Sequence, residues 1–347
     1  MQPRLSILIP CYNVERYIRR CLESIYRINL SYNEYEVLCF DDCSTDSTPS
    51  ILDEYAERFK NFWVLHSRAN IGPGGGRNRL FVEAHGRYLW YVDGDDMIIS
   101  EQVPSMLHIV ERIQADVLVF NYREWNEDES EIPVLYSLPE GEEGTGLELA
   151  DKVFDGGLVN NMGYPVRFLI KRSYYEKLGL SFPERMTYGE DTIWMAKLVL
   201  MAEKMCTTSL YGYIYWHHDS STCGTLKRIY PGRTIYEKCV VTSLQLFGFV
   251  KELKNAYNKK QDGQIITYAN KIYDYTIKHY VNNLPIMLCR TTNKERNVFY
   301  KYLRNGENIK DIRHRANLLT NICMIPFVGL LMSSCLSVAY KLSHPNK

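Results

Sequence analysis

Between residues 5 and 92 four short apolar runs alternate with three stretches of helical periodicity, and that alternation leaves few folds open. "LSILIP" reads as a strand over 5–9, "EVLCFDD" as a strand over 36–42, "FWVLHS" over 62–67, and "YLWYV" over 88–92. Each is too short for a helix and too uniformly apolar for an exposed strand, which is how strands buried on both faces look. Between them, "NVERYIRRCLESIYR" (13–27) places Val14, Tyr17, Ile18, Cys21, Leu22 and Ile25 on one helical face, with Asn13 as its expected N-cap. A second helix is expected over 48–60. A third, "RNRLFVEAHG", follows a glycine loop and stops at Gly86. The pattern predicts an α/β domain: a mainly parallel central sheet flanked by helices. Right-handed crossovers then bring the carboxyl ends of the strands to one edge of the sheet.

Acidic residues gather at those ends. Asp41 and Asp42 close the second strand, and Asp93, Asp95 and Asp96 follow the fourth within "VDGDD". Three carboxylates in four positions raise one another's pKa unless a cation intervenes. They form a hard oxygen site suited to Mg²⁺ or Mn²⁺, ions that take one or two protein carboxylates and complete their shell with water and substrate phosphate. Asp-Gly-Asp-Asp is equally good turn chemistry. In "DDCSTDST", Ser44, Thr45 and Asp46 suit the capping of the next helix, whereas Asp41 is poorly placed to cap and well placed to accept from a nucleobase N–H or a ribose hydroxyl.

"ANIGPGGGRNRL" has the glycines of a phosphate loop but fails both common templates. No Lys-Ser/Thr follows them, and Arg77 stands at the third fingerprint position, where glycine or alanine belongs. The glycines are expected to permit close backbone approach, with Arg77 projecting from a helix start.

Taken in order, "ILIPCYN", "FDDCSTDST", "NIGPGGGRN", "YVDGDD" and "YGEDTIW" resemble the family-2 inverting glycosyltransferases with the GT-A fold, over about residues 5–222. The resemblance implies a nucleotide-sugar donor, usually UDP-linked, and a divalent metal, Mn²⁺ or Mg²⁺. It implies donor contacts at Pro10, Tyr12, Asp41, Asp42, Arg77, Asp93 and Gly94, with Asp41 on the base. Asp93 and Asp95 match the D-x-D motif, with Asp95 as the direct metal ligand. Asp191 matches the general base, with Glu190 beside it. Asp191 also suits the N-cap of the helix it begins. "YIYWHHDSST" is expected to fold over the donor phosphates, with His218 reaching the metal or the diphosphate and Trp216 where an arginine is common. Two departures stand out: Cys43 replaces the usual glycine, and "GPGGGRN" replaces the commoner alanine before Arg-Asn.

Two other readings fit less well. A sugar-nucleotidyltransferase needs a basic glycine-rich motif near the amino terminus, where this chain has "PCYNVER". A non-catalytic nucleotide-sugar-binding relative has no use for the full set of acidic groups.

The remaining sequence divides the chain. A GT-A domain is expected over 1–230, ending near Pro231 and Gly232, then an α-helical extension over 231–315 and an apolar segment over 316–347. Residues 126–146, with seven acidic side chains, read as an exposed insertion. Acceptor choice is assigned to 126–180 and to the tyrosine-rich helices after 231. Arg290 to Arg315 carries eight Lys/Arg against three Asp/Glu, and 316–340 carries no charge. Pro326 and Gly329 disfavour a span, so a membrane-interface anchor is expected at an anionic cytoplasmic leaflet, with a helix pair packed on the protein's own core as the alternative. Such an anchor suits a lipid-linked saccharide acceptor. Lys plus Arg equals Asp plus Glu at 41 each, which gives nucleic acid no electrostatic footprint. The ten cysteines form no C-x-x-C pair and several lie in apolar runs, as reduced thiols of a cytoplasmic protein do. With a strand-like run starting at Leu5, no secretory leader is expected.

Overall fold

The computed structural model describes residues 2–134, 137–153, 165–184 and 190–218. The expected helical extension over 231–315 and the apolar segment over 316–347 lie outside the described residues. Among the described residues, no helix is long and apolar enough to cross a membrane.

The strands are β1 (Leu5–Cys11), β2 (Tyr35–Asp41), β3 (Phe62–His66), β4 (Tyr88–Tyr91), β5 (Met97–Ile98), β6 (Val117–Asn126), β7 (Glu131–Ile132), β8 (Glu143–Gly144), β9 (Phe168–Lys171) and β10 (Met205–His217). The helices are α1 (Ile18–Ile25), α2 (Thr48–Arg58), α3 (Gly72–Glu83), α4 (Val103–Ile113), α5 (Gly146–Val153), α6 (Arg172–Leu178) and α7 (Glu190–Leu200). One sheet runs in the order β3-β2-β1-β4-β9-β6-β10-β5, with β7 and β8 added beside β6 and β10. Strands β3, β2, β1 and β4 are parallel, β9 runs against both β4 and β6, and β10 returns parallel to β6. The sheet is therefore GT-A-like and mixed, parallel in the half where the first four strands were expected.

Strand alternation divides the core in two. Ile7, Ile9, Val37, Cys39 and Trp90 face α1, α2 and α4, while Leu8, Leu38, Phe40 and Tyr91 face α3 and the later helices. Cys11, Cys21, Cys39 and Cys206 are buried free thiols in these layers. The register pairs Cys11 with Asp41 and Asp41 with His66, so the first three strands end level.

At the opposite edge Glu36, 5% exposed, accepts from Ser6 Oγ at 2.6 Å and from the Gly86 N–H at 3.0 Å. A Cβ on Gly86 would lie 2.4 Å from Ser6 N, so only glycine lets the chain enter β4 this close to β1.

Three local expectations change. Helix α1 starts at Ile18, five residues after Asn13. Asn13 instead adopts φ 53° and accepts from the Thr45 N–H at 2.8 Å, tying two loops together rather than capping. The glycines after Asn70 are not a loop but the first turn of α3. A Cβ on Gly75 or Gly76 would approach Ile71 or Phe40 to 3.0 Å, so tight helix–sheet packing overrides glycine's poor helix propensity. The acidic stretch 126–146 is exposed over 127–131 but then docks on the sheet through β7 and β8. Leu138 is 2% exposed, and Glu140 accepts from Thr208 Oγ1 and the Ser209 N–H.

Candidate active site

The carboxyl edge carries two acidic groups. In the first, Asp41 is 3% exposed at the end of β2, with Oδ1 accepting from the Ser44 N–H at 3.0 Å and Oδ2 3.1 Å from His66 Nδ1. The other ring nitrogen of His66 lies 3.1 Å from Asp53. Burial lowers the His66 pKa, but the bonds to Asp41 and Asp53 outweigh it and the net direction is upward. Asp42 points to the other side and caps α3, its two oxygens accepting from the Ile71 and Gly72 N–H groups at 2.7 and 2.8 Å. That cap explains how a glycine-rich segment begins a helix at all. Burial raises the Asp42 pKa, against the pull of those two N–H groups.

Just after them, Cys43 sits at φ 63°, the left-handed region that costs an ordinary side chain about 1–2 kcal/mol. The cysteine that departs from the family pattern therefore occupies a backbone position built for glycine. Pro10, next to last in β1, lies beside Gly76, and Tyr12, just beyond the strand, is half exposed.

The second group is the turn after β4, closed by the Asp96 N–H donating to the Asp93 carbonyl at 3.1 Å. Gly94 is buried in it, with Cys11, Val14 and Ile18 3.4 Å from where a Cβ would stand. The three carboxylates diverge. Asp93 accepts from Arg77 Nη2 at 2.9 Å, and Arg77, 6% exposed, reaches it from inside α3 rather than from a helix start. Burial raises the Asp93 pKa; Arg77 pulls it down and Asp95 pushes it up. Asp96 is 2% exposed and turns inward, accepting from Tyr213 Oη at 2.6 Å and the Trp216 N–H at 2.7 Å. Burial first, then Asp95 and Asp93, hold its pKa well above the carboxylate range. Asp95 sets its Oδ2 2.9 Å from Nε2 of His218, just past the end of β10.

Like-charge repulsion in this cluster is thus relieved by the protein itself, through an arginine, a hydroxyl and backbone N–H pair, and a histidine. The sequence grouped Asp96 with the oxygen site; the structure makes it the tie between the β4 turn and β10. Asp96→Ala should therefore cost about 2–4 kcal/mol in chemical denaturation, because two buried donors lose their acceptor. Asp96→Asn keeps an acceptor and should retain most of the stability. A raised divalent-ion requirement in Asp96→Asn would contradict this assignment.

Asp191 and Glu190 form the first turn of α7, where the helix dipole favours carboxylates. Asp191 is partly exposed. Three residues on, Trp194 stacks on Phe182 at 4.5 Å and meets Tyr91 edge-on, and the Arg77 guanidinium lies 5.2 Å from the Phe182 ring centre. One aromatic layer therefore joins the start of α7 to Arg77 and to the strand that carries Asp93. The "YG" before Glu190 and the residues after His218 lie outside the described residues. Among the described residues, no three acidic, histidine or cysteine side chains gather as a metal cage.

The sequence model of the family described as Glycosyl transferase family 2 matches residues 6–179, about half of the chain. The chain belongs to this family. The match takes in Pro10, Tyr12, Asp41, Asp42, Arg77, Asp93, Gly94 and Asp95 and ends before Asp191 and His218. The chain is 30% identical over 216 residues to a poly(ribitol-phosphate) beta-glucosyltransferase of Bacillus spizizenii, covering 61% of this chain and 32% of that protein. It is 29% identical over 224 residues to the uncharacterised glycosyltransferase EpsJ of Bacillus subtilis, covering 64% and 63%. It thus spans less than two thirds of these curated relatives. Among solved structures, S. aureus TarS 1-349 in complex with UDP-GlcNAc matches with a TM-score of 0.66 at 19% identity, covering 91% of this chain and 86% of that one. At that identity the likeness supports the family's fold.

Proposed function

We propose that this family-2 member transfers a sugar with inversion from a nucleotide-sugar donor, a UDP-sugar, to a saccharide or lipid-linked saccharide acceptor in polysaccharide assembly. The observation that carries the reading is the placing of Asp41 and the Asp95–His218 pair on one sheet edge, the first suited to a base and the second to a diphosphate. The relatives named for polymer glycosylation, and the fold match to a protein solved with UDP-GlcNAc, support the same class.

A divalent cation, Mn²⁺ or Mg²⁺, fits the donor set of Asp95 and His218: one carboxylate and one imidazole, leaving positions for phosphate and water. Asp93, already paired with Arg77, would stand behind them. When bound, such an ion withdraws charge from the leaving diphosphate. The rest falls to the chain. Asp41 accepts from the base, Arg77 holds Asp93 near the phosphates and opposes the burial that raises its pKa, and Asp191, with Glu190 beside it, takes the acceptor hydroxyl's proton as that oxygen attacks. In-line attack opposite the leaving group inverts the anomeric centre. The uncharged segment 316–340, with the basic stretch before it, would hold the enzyme at the inner membrane face near a lipid-linked acceptor.

A thermal-shift screen of nucleotide sugars, with and without Mn²⁺, tests the class. A true donor at a hundred times its Kd should add about 2.7 kcal/mol of stability. No stabilisation by any UDP-sugar with Mn²⁺ would remove the donor reading. Binding without Mn²⁺-dependent donor hydrolysis would leave a binding relative rather than an enzyme.

A further inference from the structure

The start of helix α1 reaches both Asp95 and the strand end that leads to His218. Arg20 Nη2 donates to the Asp95 carbonyl at 3.1 Å, and its guanidinium lies 3.5 Å from the centre of the Trp216 ring, two residues before His218. Tyr17, three residues earlier, sets its ring 4.1 Å from that of His218 at a 36° tilt. Asp95 comes from the β4 turn and His218 from the end of β10, and they are 123 residues apart in the chain. Nothing local fixes their separation; α1 and its N-cap Tyr17 touch both.

The environment of Arg20 is unlike that of a surface arginine. Its Nε is buried with no hydrogen-bond partner, and among the described residues no carboxylate pairs with it. A partly buried guanidinium held by one carbonyl and an indole face has its charge spent on orientation rather than on a salt bridge. Stacking on tryptophan is the strongest of the cation–π arrangements and suits a planar guanidinium better than an ammonium.

We propose that Arg20 is a positioning residue that sets the geometry of the Asp95–His218 pair, bracing the Asp95 turn and the Trp216 strand end against each other. Its consequence for metal binding rests on the reading of that pair given above, while its effect on the pair itself does not. Metal ligands held in place by neighbouring groups lose about 10–100-fold in affinity when those groups are removed.

The test uses the whole metal-free protein with ¹⁵N-labelled histidine. The His218 Nε2 proton, bonded to Asp95, should give a slowly exchanging resonance, identified by its loss in Asp95→Asn. Arg20→Met, which keeps the stem and removes the charge and the fork, should abolish or broaden that resonance; Arg20→Lys should weaken it less. Mn²⁺ alone, titrated by calorimetry, should bind Arg20→Met about tenfold or more weakly than the parent. A resonance unchanged in Arg20→Met overturns the proposal even if melting temperature falls, since that would leave Arg20 as packing only. If Arg20→Met does not fold, the same resonance in Arg20→Lys decides. Failure of Mn²⁺ to bind the parent would remove the metal reading of the pair and leave the resonance to judge Arg20.

Discussion

Replacing Asp191 with asparagine is expected to reduce sugar transfer by about 10²–10⁴-fold, the usual worth of a positioned general base, while leaving donor affinity within about twofold. Asparagine matches the aspartate in shape and still accepts a hydrogen bond, so the first turn of α7 and the Trp194–Phe182 stack behind it should survive. What is lost is the ability to take a proton from the acceptor hydroxyl. The measurement is turnover with saturating donor and acceptor, set beside donor binding by calorimetry and the melting temperature. A fall in the catalytic rate with an unchanged donor Kd is the signature of a group that acts in the transition state. Normal turnover in Asp191→Asn would remove the assignment. Glu190→Gln, which leaves Asp191 in place, should show the smaller loss; the reverse order would move the base to Glu190.

The parts of the fold legible in the sequence are those fixed by local pattern. Strands β1, β2 and β4 are continuous apolar runs because both faces are covered, whereas β3, expected to be buried likewise, lies at the sheet edge with Trp63 57% exposed; their order with the intervening helices sets the carboxyl edge. The first turn of helix α3 was hidden because glycine suppresses the helical signal. Its start depends on Asp42, whose carboxylate reaches the Ile71 and Gly72 N–H groups from across the sheet edge. Asp96 could not be told from Asp93 and Asp95 by sequence, since its partners Tyr213 and Trp216 lie 117 and 120 residues away. Arg20 lies off the apolar face read for 13–27 and matched no motif; only the return of β10 puts an indole against it. His218 came from the family resemblance and not from residue pattern, and the structure sets that ring against Asp95. In each case the missing information is long-range pairing, which residue spacing does not carry.

Arg77→Met is expected to destabilise the protein by about 3 kcal/mol at neutral pH, the low end for breaking a buried ion pair. The low end applies because the Asp93 side chain is 30% exposed while that of Arg77 is 7% exposed. Methionine fills much of the same volume over Phe182, so most of the loss comes from leaving Asp93 beside Asp95 without a cation. The pH dependence fixes the cause. Burial and Asp95 already push the Asp93 pKa up, and Arg77 is the group that opposes them. Without Arg77 the folded-state pKa rises further above the unfolded value. A carboxyl whose folded pKa is raised binds more protons in the native state, so stability falls as pH rises through the interval between the two values. The deficit of Arg77→Met should therefore be larger at pH 8 than at pH 5. Adding Asp93→Asn to Arg77→Met removes the unpaired charge and should recover part of the loss, which a double-mutant cycle in urea would read as coupling between the two positions. A deficit independent of pH, with no recovery in the double variant, would mean that Arg77 works through packing against Phe182 and not through Asp93.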